Sequence, residues 1–368
     1  MKICYLTHDM LKHTGCGVFS SNFIEKVKEI RPKWEITVIS EVKSEHPLEK
    51  AVLQMNKKGM LVNFFKIRAH LKDCDIIHAM DAYPYGLAAV LCSFGLRKKI
   101  FMTAIGSGSI GVLTHILYSR FIGKIYQKAD EFIAISNYTG KRIKDIIPNL
   151  KINVINLGVK LDLFENKETD YNLNTEIQDK KPYILSDGAL KNRKGYEYSI
   201  PAFAKISKRF PELNYIIIRS ETNRGHDYVK KIENIIKKFN LEKKVFFFAN
   251  ISDDLRRVIY NNAELFFLMP QEALRDVEGF GLVFLQAAAS GLPVVTSKGS
   301  AAEDAIADKK NGLLVSAQDT DAISGAVIKI LEDDNLKKRF SEESKSFAKY
   351  MSWDKVAGEY IDLYEKYN

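Results

Sequence analysis

The sequence predicts an α/β protein made of two doubly wound, Rossmann-like domains that face each other across a cleft. Its 368 residues are enough for about two domains. Short runs rich in β-branched and aromatic residues alternate with segments of helical periodicity along most of the chain, a pattern typical of βαβ units and parallel sheets. A polar stretch between Lys160 and Lys181 interrupts this alternation, which then restarts.

The first domain is predicted over residues 1–165, where a strand begins almost at the N-terminus and helices separate the strands that follow. The predicted strands are Lys2–Thr7, Trp34–Ser40, Asp75–Ala79, Lys99–Ile105, Glu131–Ser136 and Ile152–Leu157. The predicted helices are Val18–Ile30, Met60–Leu71, Tyr85–Phe94, Leu113–Gln127 and Tyr138–Ile147.

A linker is predicted over residues 166–181, and the second domain over residues 182–351. The predicted strands of this domain are Tyr183–Ser186, Tyr215–Arg219, Lys244–Ala249, Glu264–Met269, Pro293–Ser297 and Gly312–Val315. Helices lie between these strands, and two more are predicted at Asp319–Leu331 and Asn335–Tyr350. Residues 352–368 begin with the capping sequence Ser352-Trp353-Asp354 and predict a final amphipathic helix.

The composition is that of a globular protein, with 46% hydrophobic and 27% charged residues. No apolar run reaches the roughly 18 residues that a membrane span requires, and the chain enters its first strand without a secretory signal. The cysteines include no Cys-x-x-Cys pair and the histidines do not cluster, so neither a disulfide framework nor a metal site is expected. We therefore expect a cytoplasmic protein without a metal cofactor.

The charge is distributed unevenly along the chain. Residues 1–150 contain 22 Lys and Arg residues but 13 Asp and Glu residues, so the whole formal excess of +9 lies in the first half. Two basic groups fall on segments with apolar partners, Met60–Leu71 and Ile116–Gln127, which predicts basic amphipathic helices. Two interpretations stay open: a solvated face, or a half that meets an anionic acceptor or an anionic membrane surface.

The most informative stretch runs from Asp276 to Ser297 and reads DVEGFGLVFLQAAASGLPVVTS. Glu278 precedes a flexible Gly-Phe-Gly corner, a small apolar helix follows, and Gly291 ends that helix before a buried strand. The free N–H groups at the start of such a helix suit an anion, phosphate above all. Gln286 is a polar residue on this apolar helix and therefore needs a partner, for which a ligand is one candidate. An ordinary helix–strand packing unit is the simpler interpretation.

A second constellation follows the first strand of the second domain and runs from Ser186 to Gly195, SDGALKNRKG. This loop lies at the carboxyl edge of the predicted sheet, where α/β proteins bind ligands. Its three cations and two glycines suit a diphosphate, because arginine provides a fork of donors and lysine a point charge. The alternative is an exposed basic turn.

The first predicted loop contains Gly15-Cys16-Gly17, and Glu41 ends the second strand, which is superficially like a dinucleotide-binding fingerprint. Ser20 occupies the third glycine position, however, and the loop begins about seven residues after the strand, so the pyrophosphate geometry fails. A nicotinamide-dependent dehydrogenase is therefore an outside alternative. A plain helix-entry loop is another interpretation.

Taken together, these stretches resemble nucleotide-sugar glycosyltransferases of the GT-B fold, in particular retaining glycosyltransferase family 4 (glycosyl transferases group 1). The family pattern has two glutamates separated by seven residues around a Gly-Phe-Gly-Leu core, and Glu278 matches the first of them. The resemblance covers most of the second domain and the first domain loosely. It implies a GT-B fold in which the C-terminal helix crosses back to the first domain.

The resemblance also implies roles for residues of the first motif. Glu278 is expected to orient hydroxyls of the donor sugar and to face the positive charge that develops at the anomeric carbon. Gln286 stands where family members carry the glutamate that binds the ribose hydroxyls, and a neutral glutamine gives weaker hydrogen bonds there. The backbone N–H groups expected to hold sugar and phosphate are those of Phe280, Gly281, Leu282 and Val283.

The basic loop resembles the family's Gly-Arg-Leu…Lys-Gly element, which supplies an arginine and a lysine to the leaving nucleotide diphosphate. Gly188 opens this element and Lys194 matches the family lysine. The arginine position is Ala189, and Arg193 or Lys191 is the candidate replacement.

Other matches are looser. Asn250 falls where family members hold the nucleotide base, and Gly17 belongs to the loop that approaches the donor diphosphate from the opposite domain. Ile105 occupies the position of a histidine near the transferred sugar, which leaves contacts there to the backbone or to Ser107 and Ser109.

The predicted protein is thus a retaining, metal-independent glycosyltransferase that moves a sugar from a UDP- or GDP-sugar to a glycan or lipid-linked acceptor in surface polysaccharide assembly. Without an Asp-x-Asp metal site, cations and the helix dipole must neutralise the leaving diphosphate. We expect peripheral contact with the anionic inner face of the membrane and no nucleic-acid partner. Two alternatives stay open: a transferase for a small soluble metabolite, and a non-catalytic sugar-nucleotide-binding member.

Overall fold

The computed structural model describes residues 1–12, 14–115, 118–164, 175–219, 226–271 and 276–367. These residues form two compact units, each built around one parallel sheet. The first unit contains residues 1–158, 276–280 and 353–367, and the second contains residues 159–271 and 281–352. The prediction of two α/β domains with parallel sheets is confirmed.

The first unit has a seven-stranded sheet in the order β3-β2-β1-β4-β5-β6-β7. Its strands are β1 Lys2–Thr7, β2 Glu35–Ser40, β3 Glu49–Val52, β4 Ile76–Ala79, β5 Lys99–Ala104, β6 Glu131–Ala134 and β7 Asn153–Val154. Its helices are α1 Gly15–Ile30, α2 Lys57–Lys72, α3 Leu87–Cys92, α4 Ser107–Gly111, α5 Ser119–Tyr126, α6 Asn137–Ile146 and, at the end of the chain, α14 Trp353–Glu365.

The second unit has a six-stranded sheet in the order β10-β9-β8-β11-β12-β13. Its strands are β8 Tyr183–Asp187, β9 Asn214–Arg219, β10 Val245–Ala249, β11 Phe266–Leu268, β12 Val294–Ser297 and β13 Gly312–Val315. Its helices are α7 Thr175–Gln178, α8 Tyr196–Arg209, α9 His226–Lys238, α10 Asp253–Asn261, α11 Leu282–Ala289, α12 Thr320–Glu332 and α13 Asp334–Tyr350.

Both sheets contain a switch point, a place where the strand order reverses. In the first sheet β1 pairs with β2 on one side and with β4 on the other, and in the second sheet β8 pairs in the same way with β9 and β11. The loops at the carboxyl ends of such neighbouring strands leave in opposite directions, which opens a crevice suited to a ligand. The fold therefore provides one potential ligand site in each unit.

The structure differs from the prediction mainly at the edges of the first sheet. Strand β3 was not predicted. It is a four-residue edge strand, and its polar residues Glu49 and Lys50 leave too few apolar residues for a recognisable strand pattern. The strand expected over Ile152–Leu157 pairs with its neighbour only at β7, two residues long. Short edge strands carry little hydrophobic signal, so their bounds depend on pairing partners elsewhere in the chain.

Two predicted helices have different bounds. The helix expected over Leu113–Gln127 is a 3₁₀ turn at Val112–Thr114 followed by α5, and residues 116–117 lie outside the described part of the chain. The helix expected over Tyr85–Phe94 is preceded by a π-type turn at Ala82–Gly86. Most of the predicted linker, residues 166–174, is also outside the described residues.

Helix α14 belongs to the first unit, which confirms the prediction that the C-terminal helix returns to the first domain. Its Tyr360 ring lies 4.6 Å from the Phe23 ring of α1, centroid to centroid. The Tyr364 hydroxyl lies 2.5 Å from Nδ1 of the fully buried His78, whose Nε2 lies 2.8 Å from the Thr103 hydroxyl. Burial lowers the pKa of His78 to about 3, so this imidazole is neutral.

Candidate functional site

The basic loop between β8 and α8 lies at the switch point of the second sheet. After β8 ends at Asp187, the chain makes a 3₁₀ turn over Asn192–Lys194 before α8 begins. Gly195 has a φ of +67°, and a Cβ added there would lie 1.9 Å from the carbonyl oxygen of Met269, just after β11. Glycine therefore allows the loop to pack against the end of the neighbouring strand.

Hydrogen bonds fix this loop to the segment that follows β11. The Gln271 backbone N–H donates to the Arg193 carbonyl at 2.9 Å, and the Gln271 side-chain amide donates to the Asn192 carbonyl at 2.7 Å. Lys194 is only 5% exposed, and a Cβ at Gly188 would lie 3.1 Å from Lys194 Cε. The structure thus brings together Gly188, Arg193 and Lys194, three residues of the predicted donor site.

Arg256 adds a cation that the sequence analysis missed. It lies on α10 and pairs with Asp187, which also accepts a hydrogen bond from the Tyr260 hydroxyl at 3.0 Å. The charge of Asp187 raises the pKa of the Arg256 guanidinium further above its ordinary value. Because Asp187 immediately precedes Gly188, this guanidinium lies beside the basic loop. No motif marks Arg256, since only the fold brings α10 to the end of β8.

Helix α11 carries the glutamine of the first motif. The helix begins at Leu282 after Gly281, whose φ of +84° is a left-handed conformation that favours glycine. Within the described part of the chain, the buried Oε1 atom of Gln286 has no hydrogen-bond donor in reach. A buried acceptor without a donor is costly, so this atom is ready to accept a hydrogen bond from a ligand.

The segment that carries Glu278 packs within the first unit, although the sequence assigned it to the second domain. Val277 is buried in the hydrophobic core of this unit, and its backbone N–H and carbonyl both bond to the Ser107 hydroxyl, at 3.0 and 2.9 Å. On the other side of Glu278, the Gly279 carbonyl accepts hydrogen bonds from the hydroxyls of Ser136 at 2.6 Å and Thr139 at 3.0 Å. Anchors on both sides therefore fix the backbone of the partly exposed Glu278.

Gly279 is required at this position, because a Cβ there would lie 1.9 Å from the Ile105 carbonyl oxygen. Ser107 and Ser109, the residues expected to contact the sugar, bind protein groups instead. Ser107 holds Val277, and the buried Ser109 donates to Asp81. The loop that follows β5 thus positions the Glu278 segment.

The first glycine loop has a mainly structural arrangement. The Gly17 N–H donates to the hydroxyl of the N-cap Thr14 at 2.9 Å, and a Cβ at Gly17 would lie 2.1 Å from the Leu11 carbonyl oxygen. Gly17 therefore lets α1 pack on the preceding turn. No described atom lies within 4 Å of a Cβ built at Gly15, so Gly15 is the glycine of this pair with open space beside it.

Asn250 follows β10 with a φ of +53°, a conformation that asparagine tolerates better than most residues, and its side chain is exposed. β10 is the edge strand beyond β9 in the second sheet. Asn250 is thus at the carboxyl edge that also holds the basic loop.

A cavity of about 340 Å³ opens at the switch point of the first sheet, and the sequence analysis did not predict it. Residues that follow β1, β2, β4 and β5 line it, including His8, Glu41, Asp81, Tyr85 and Ile105. The signal in the sequence was the presence of polar residues directly after several strands, such as His8 and Asp81. Glu41 was weighed only as part of a dinucleotide fingerprint.

Glu41 is held on one wall of this cavity. One carboxylate oxygen accepts from the backbone N–H groups of Met55 at 2.7 Å and Asn56 at 3.0 Å, and the other accepts from the Tyr85 hydroxyl at 2.8 Å. Burial acts to raise the pKa of Glu41, but the hydrogen bonds from these groups and from His8 lower it to about 2. The same hydrogen bond to Glu41 raises the pKa of His8 above its ordinary value.

The pKa of Asp81 shifts in the opposite direction from that of Glu41, because the environment of Asp81 favours the neutral acid. Burial raises the pKa of Asp81 to about 7, although hydrogen bonds from Ser109 and from backbone amides act in the other direction. Burial also raises the pKa of the neighbouring Cys16 thiol to about 12, with further contributions from Asp81 and Asp9. The cavity therefore combines an ionised carboxylate, Glu41, with a carboxyl group whose pKa is raised, Asp81.

The described residues contain no group of three or more His, Cys, Asp and Glu side chains suited to a metal ion. No helix in the described ranges is long and apolar enough to span a bilayer.

Two family models for glycosyltransferases match the chain. The model for glycosyl transferases group 1 matches residues 168–347, and the model for glycosyltransferase family 4 matches residues 30–163. Together these matches cover most of both units. The chain therefore belongs to this glycosyltransferase family and is an enzyme of the hexosyltransferase type.

The chain resembles individual members of this family at modest identity. It is 25% identical over 309 residues to an uncharacterized glycosyltransferase of Methanocaldococcus jannaschii, a match that covers 83% of this chain and 80% of the relative. It is 27% identical over 219 residues to a GDP-mannose-dependent alpha-(1-6)-phosphatidylinositol monomannoside mannosyltransferase of Mycolicibacterium smegmatis, covering 57% and 55% of the two chains.

Among solved structures, HepE of Anabaena in complex with UDP and glucose superposes with a TM-score of 0.82 over the full length of both chains at 18% identity. A sucrose-phosphate synthase of Thermosynechococcus elongatus reaches a TM-score of 0.79, at 18% identity over 100% of this chain and 98% of that one. These similarities show that the fold is that of GT-B glycosyltransferases.

Proposed function

We propose that this enzyme transfers a hexosyl group from a UDP- or GDP-sugar to a glycan or lipid-linked acceptor, with retention of anomeric configuration and without a metal ion. The observation that carries this proposal is the basic loop fixed at the switch point of the second sheet, where Lys194 packs over Gly188. HepE, which has the same fold, was crystallised with UDP, and the mycobacterial relative is named for GDP-mannose. Both names support a nucleoside diphosphate sugar as the donor.

The donor site is assigned to the second unit and the Glu278 segment. Lys194 and Arg193 bind the diphosphate, and Arg256 joins them as a candidate for the arginine role that Ala189 leaves open. These cations stabilise the leaving diphosphate as its charge grows, which is the work that a metal ion does in other transferases. The neutral Gln286 amide accepts a hydrogen bond from a ribose hydroxyl through its unpartnered Oε1 atom.

The remaining donor contacts come from the backbone. The N–H groups of residues 280–283 hold sugar and phosphate, and Asn250 borders the base. Glu278 orients sugar hydroxyls and stabilises positive charge at the anomeric carbon. The acceptor attacks on the face from which the diphosphate leaves, and the leaving phosphate takes the acceptor proton.

The experiment is a titration of the purified enzyme with UDP-, GDP- and ADP-sugars, followed by thermal shift and by release of the nucleoside diphosphate. We expect one nucleotide to raise the melting temperature in a concentration-dependent way. Glu278→Gln should bind this nucleotide as tightly as the wild type does, but it should produce the nucleoside diphosphate more slowly during turnover. Binding of a nicotinamide dinucleotide instead would contradict the proposal, and binding without any turnover would assign a non-catalytic sugar-nucleotide-binding protein.

We also propose that the first unit docks on an anionic membrane through α2 and its neighbours. Four apolar side chains here are strongly exposed: Leu61 at 78%, Val62 and Phe65 at 81%, and Phe94 at 82%. Helix α2 has exposed lysines and no acidic residue. Exposed apolar tips among cations match the interface of a bilayer that contains anionic lipids.

These side chains form one surface, because polar contacts tie α2 to its neighbours. The Arg68 guanidinium donates to the carbonyl groups of Cys92 and Phe94, at 2.9 and 2.8 Å, and the Lys57 ammonium lies 3.7 Å from the centre of the Tyr118 ring. Arg120 and Phe121 on α5 extend this surface with a further cation and a half-exposed aromatic ring. We therefore propose a peripheral position on the cytoplasmic face of the membrane.

Sedimentation with vesicles tests this docking surface. Phosphatidylcholine vesicles with about one-third phosphatidylglycerol should pull down the wild type, whereas pure phosphatidylcholine vesicles should not. Leu61→Ser/Phe65→Ser and Lys57→Glu/Lys58→Glu should each reduce binding, while Lys237→Glu/Lys238→Glu on α9, with the same charge change, should not. Equal binding of all variants would contradict the surface. A wild type that ignores anionic vesicles and transfers sugar to soluble acceptors would instead assign a small-metabolite transferase.

A further inference from the structure

The cavity at the end of β1 lies wholly within the first unit, and none of the donor contacts uses it. Its volume of about 340 Å³ is near the lower end of the range for ligand pockets, ~300–1,000 Å³. A cavity of this size suits a single sugar ring better than a nucleotide. The switch point of the first sheet places it where α/β proteins bind ligands.

The walls of the cavity differ in polarity. Met80, Pro84, Ile105 and the rings of Tyr83 and Tyr85 contribute apolar surface to the lining. The lining also includes the polar side chains of His8, Glu41 and Asp81, and the Tyr85 hydroxyl donates to Glu41. A sugar ring has a C–H face that packs on aromatic and apolar groups and an edge of hydroxyls that needs acceptors. The two kinds of wall match these two parts of a sugar ring.

The polar wall is suited to hydroxyl donors and unsuited to anions. Some backbone N–H groups nearby already have acceptors: Met55 and Asn56 donate to Glu41, and Leu11 donates to the buried Asp9 at 2.9 Å. The His8 ring, the cationic candidate on this wall, lies 3.5 Å from Glu41 and 4.0 Å from Asp9. An anionic ligand would therefore meet the carboxyl groups of Glu41 and Asp81.

We propose that this cavity binds one uncharged, hydroxyl-bearing ring of the acceptor, and that it rejects rings carrying a phosphate or carboxylate. The inference rests on the proposed function, because it takes the transferase to need an acceptor, and it deepens that function by naming the class of acceptor ring. The phosphate of a lipid-linked acceptor then lies outside the cavity.

The test uses the full-length enzyme saturated with UDP and saturation-transfer NMR with methyl α-glycosides of glucose, mannose and N-acetylglucosamine as probes. Glucose 6-phosphate and mannose 6-phosphate are the matched anions. We expect at least one neutral glycoside to bind at least tenfold more tightly than its phosphorylated counterpart. Equal or tighter binding of the sugar phosphate, or no binding of any neutral probe, would overturn the proposal.

Two variants locate the binding within the cavity. Cys16→Phe places a ring in the cavity and should abolish the glycoside signal, whereas Glu29→Phe adds the same ring to the exposed face of α1 and should not. His8→Ala changes the half-exposed wall and is the second variant, to be used if the larger Cys16 substitution disturbs folding. It should weaken glycoside binding. A glycoside signal that survives in folded Cys16→Phe and His8→Ala would overturn the assignment.

The UDP affinity of each variant separates this inference from the proposed function. A folded variant that retains UDP binding but loses glycoside binding supports the cavity proposal. Failure of every protein to bind any nucleoside diphosphate would contradict the donor site, whatever the glycosides do.

Discussion

The switch points of the two sheets have the same topology but opposite chemistry. At the end of β8 the second unit presents Lys194, Arg193 and Arg256. At the end of β1 the first unit presents a cavity lined by Glu41 and Asp81. One strand order therefore carries a basic loop in one unit and an acid-lined cavity in the other, because the side chains after the strands, and not the fold, set the charge of each crevice.

The net charge of the first half of the chain differs in sign from the charge of the cavity in the first unit. Residues 1–150 carry the whole formal excess of +9, yet the cavity of this unit is acidic. The exposed lysines of α2 and the cations of α5 lie on the docking surface instead. Net charge alone would predict that the first domain binds an anionic acceptor in its crevice. The residues that line this crevice, which include Glu41 and Asp81, conflict with that prediction.

The largest expected effect comes from Glu278, the acid held by the first unit beside the donor motif. Glu278→Gln should lower kcat about 10²–10³-fold, because it removes a charge that stabilises the transition state. The Kd for UDP should change little, since the proposed role of this carboxylate is at the sugar. Steady-state kinetics and a UDP titration measure the two quantities. Asp276→Asn, a neighbouring acid on the same segment, is the matched control and should retain most of the activity.

Removal of the charge of the buried Lys194 should weaken UDP binding at the crevice of the second unit. Lys194→Met keeps the aliphatic stem but removes the charge, and a charge-assisted hydrogen bond contributes about 1.5–3 kcal/mol, so UDP binding should weaken ~10–100-fold. Calorimetric titration measures this change. Arg209→Met removes an exposed cation of the same unit and should leave the Kd unchanged. If both variants bind UDP like the wild type, the basic loop is not the diphosphate site.

Acid should destabilise the first unit through His78. The pKa of this imidazole is lowered to about 3 in the fold but is ordinary in the unfolded chain, so its contribution to stability is complete above about pH 6.5 and declines as pH falls toward 3. At pH 5 the loss is about 2 kcal/mol. Denaturant unfolding of wild type and His78→Gln from pH 5 to 8 measures it. The variant should lose less stability on acidification, and parallel pH curves would contradict this role.

The smallest expected effect concerns Gln286. Gln286→Glu should strengthen the hydrogen bond to a ribose hydroxyl by about 1 kcal/mol, a several-fold gain in UDP affinity, because a charged acceptor bonds more strongly. The gain should be absent for 2′,3′-dideoxy-UDP, which lacks both hydroxyls. An equal gain for both nucleotides would place Gln286 away from the ribose.

Two candidate sites could be proposed from the sequence because their residues are contiguous. The basic loop and the stretch around Glu278 each combine charge, glycine and a strand-to-helix context within a few residues, although the Glu278 stretch packs in the first unit. The cavity of the first unit combines His8, Glu41 and Asp81, whose proximity depends on the parallel pairing of β1 with β2 and β4. Arg256 was missed for the same reason, since its partner Asp187 is 69 residues away in sequence.

The assignment of Glu278 to a domain also required the structure. Its segment lies between β11 and α11 in sequence, which predicts the second domain, but Val277 and Gly279 bind Ser107, Ser136 and Thr139 of the first unit. Hydroxyl groups at the starts of α4 and α6 provide these anchors. No periodicity or spacing within the segment itself indicates such partners.

One crossed titration tests most directly whether the two crevices divide the substrates by charge. UDP and the neutral methyl glycoside are each titrated into Lys194→Met and Cys16→Phe. We expect Lys194→Met to lose affinity for UDP but to bind the glycoside, and Cys16→Phe to bind UDP but not the glycoside. Loss of both ligands, or of the opposite ligand, in either folded variant would contradict it.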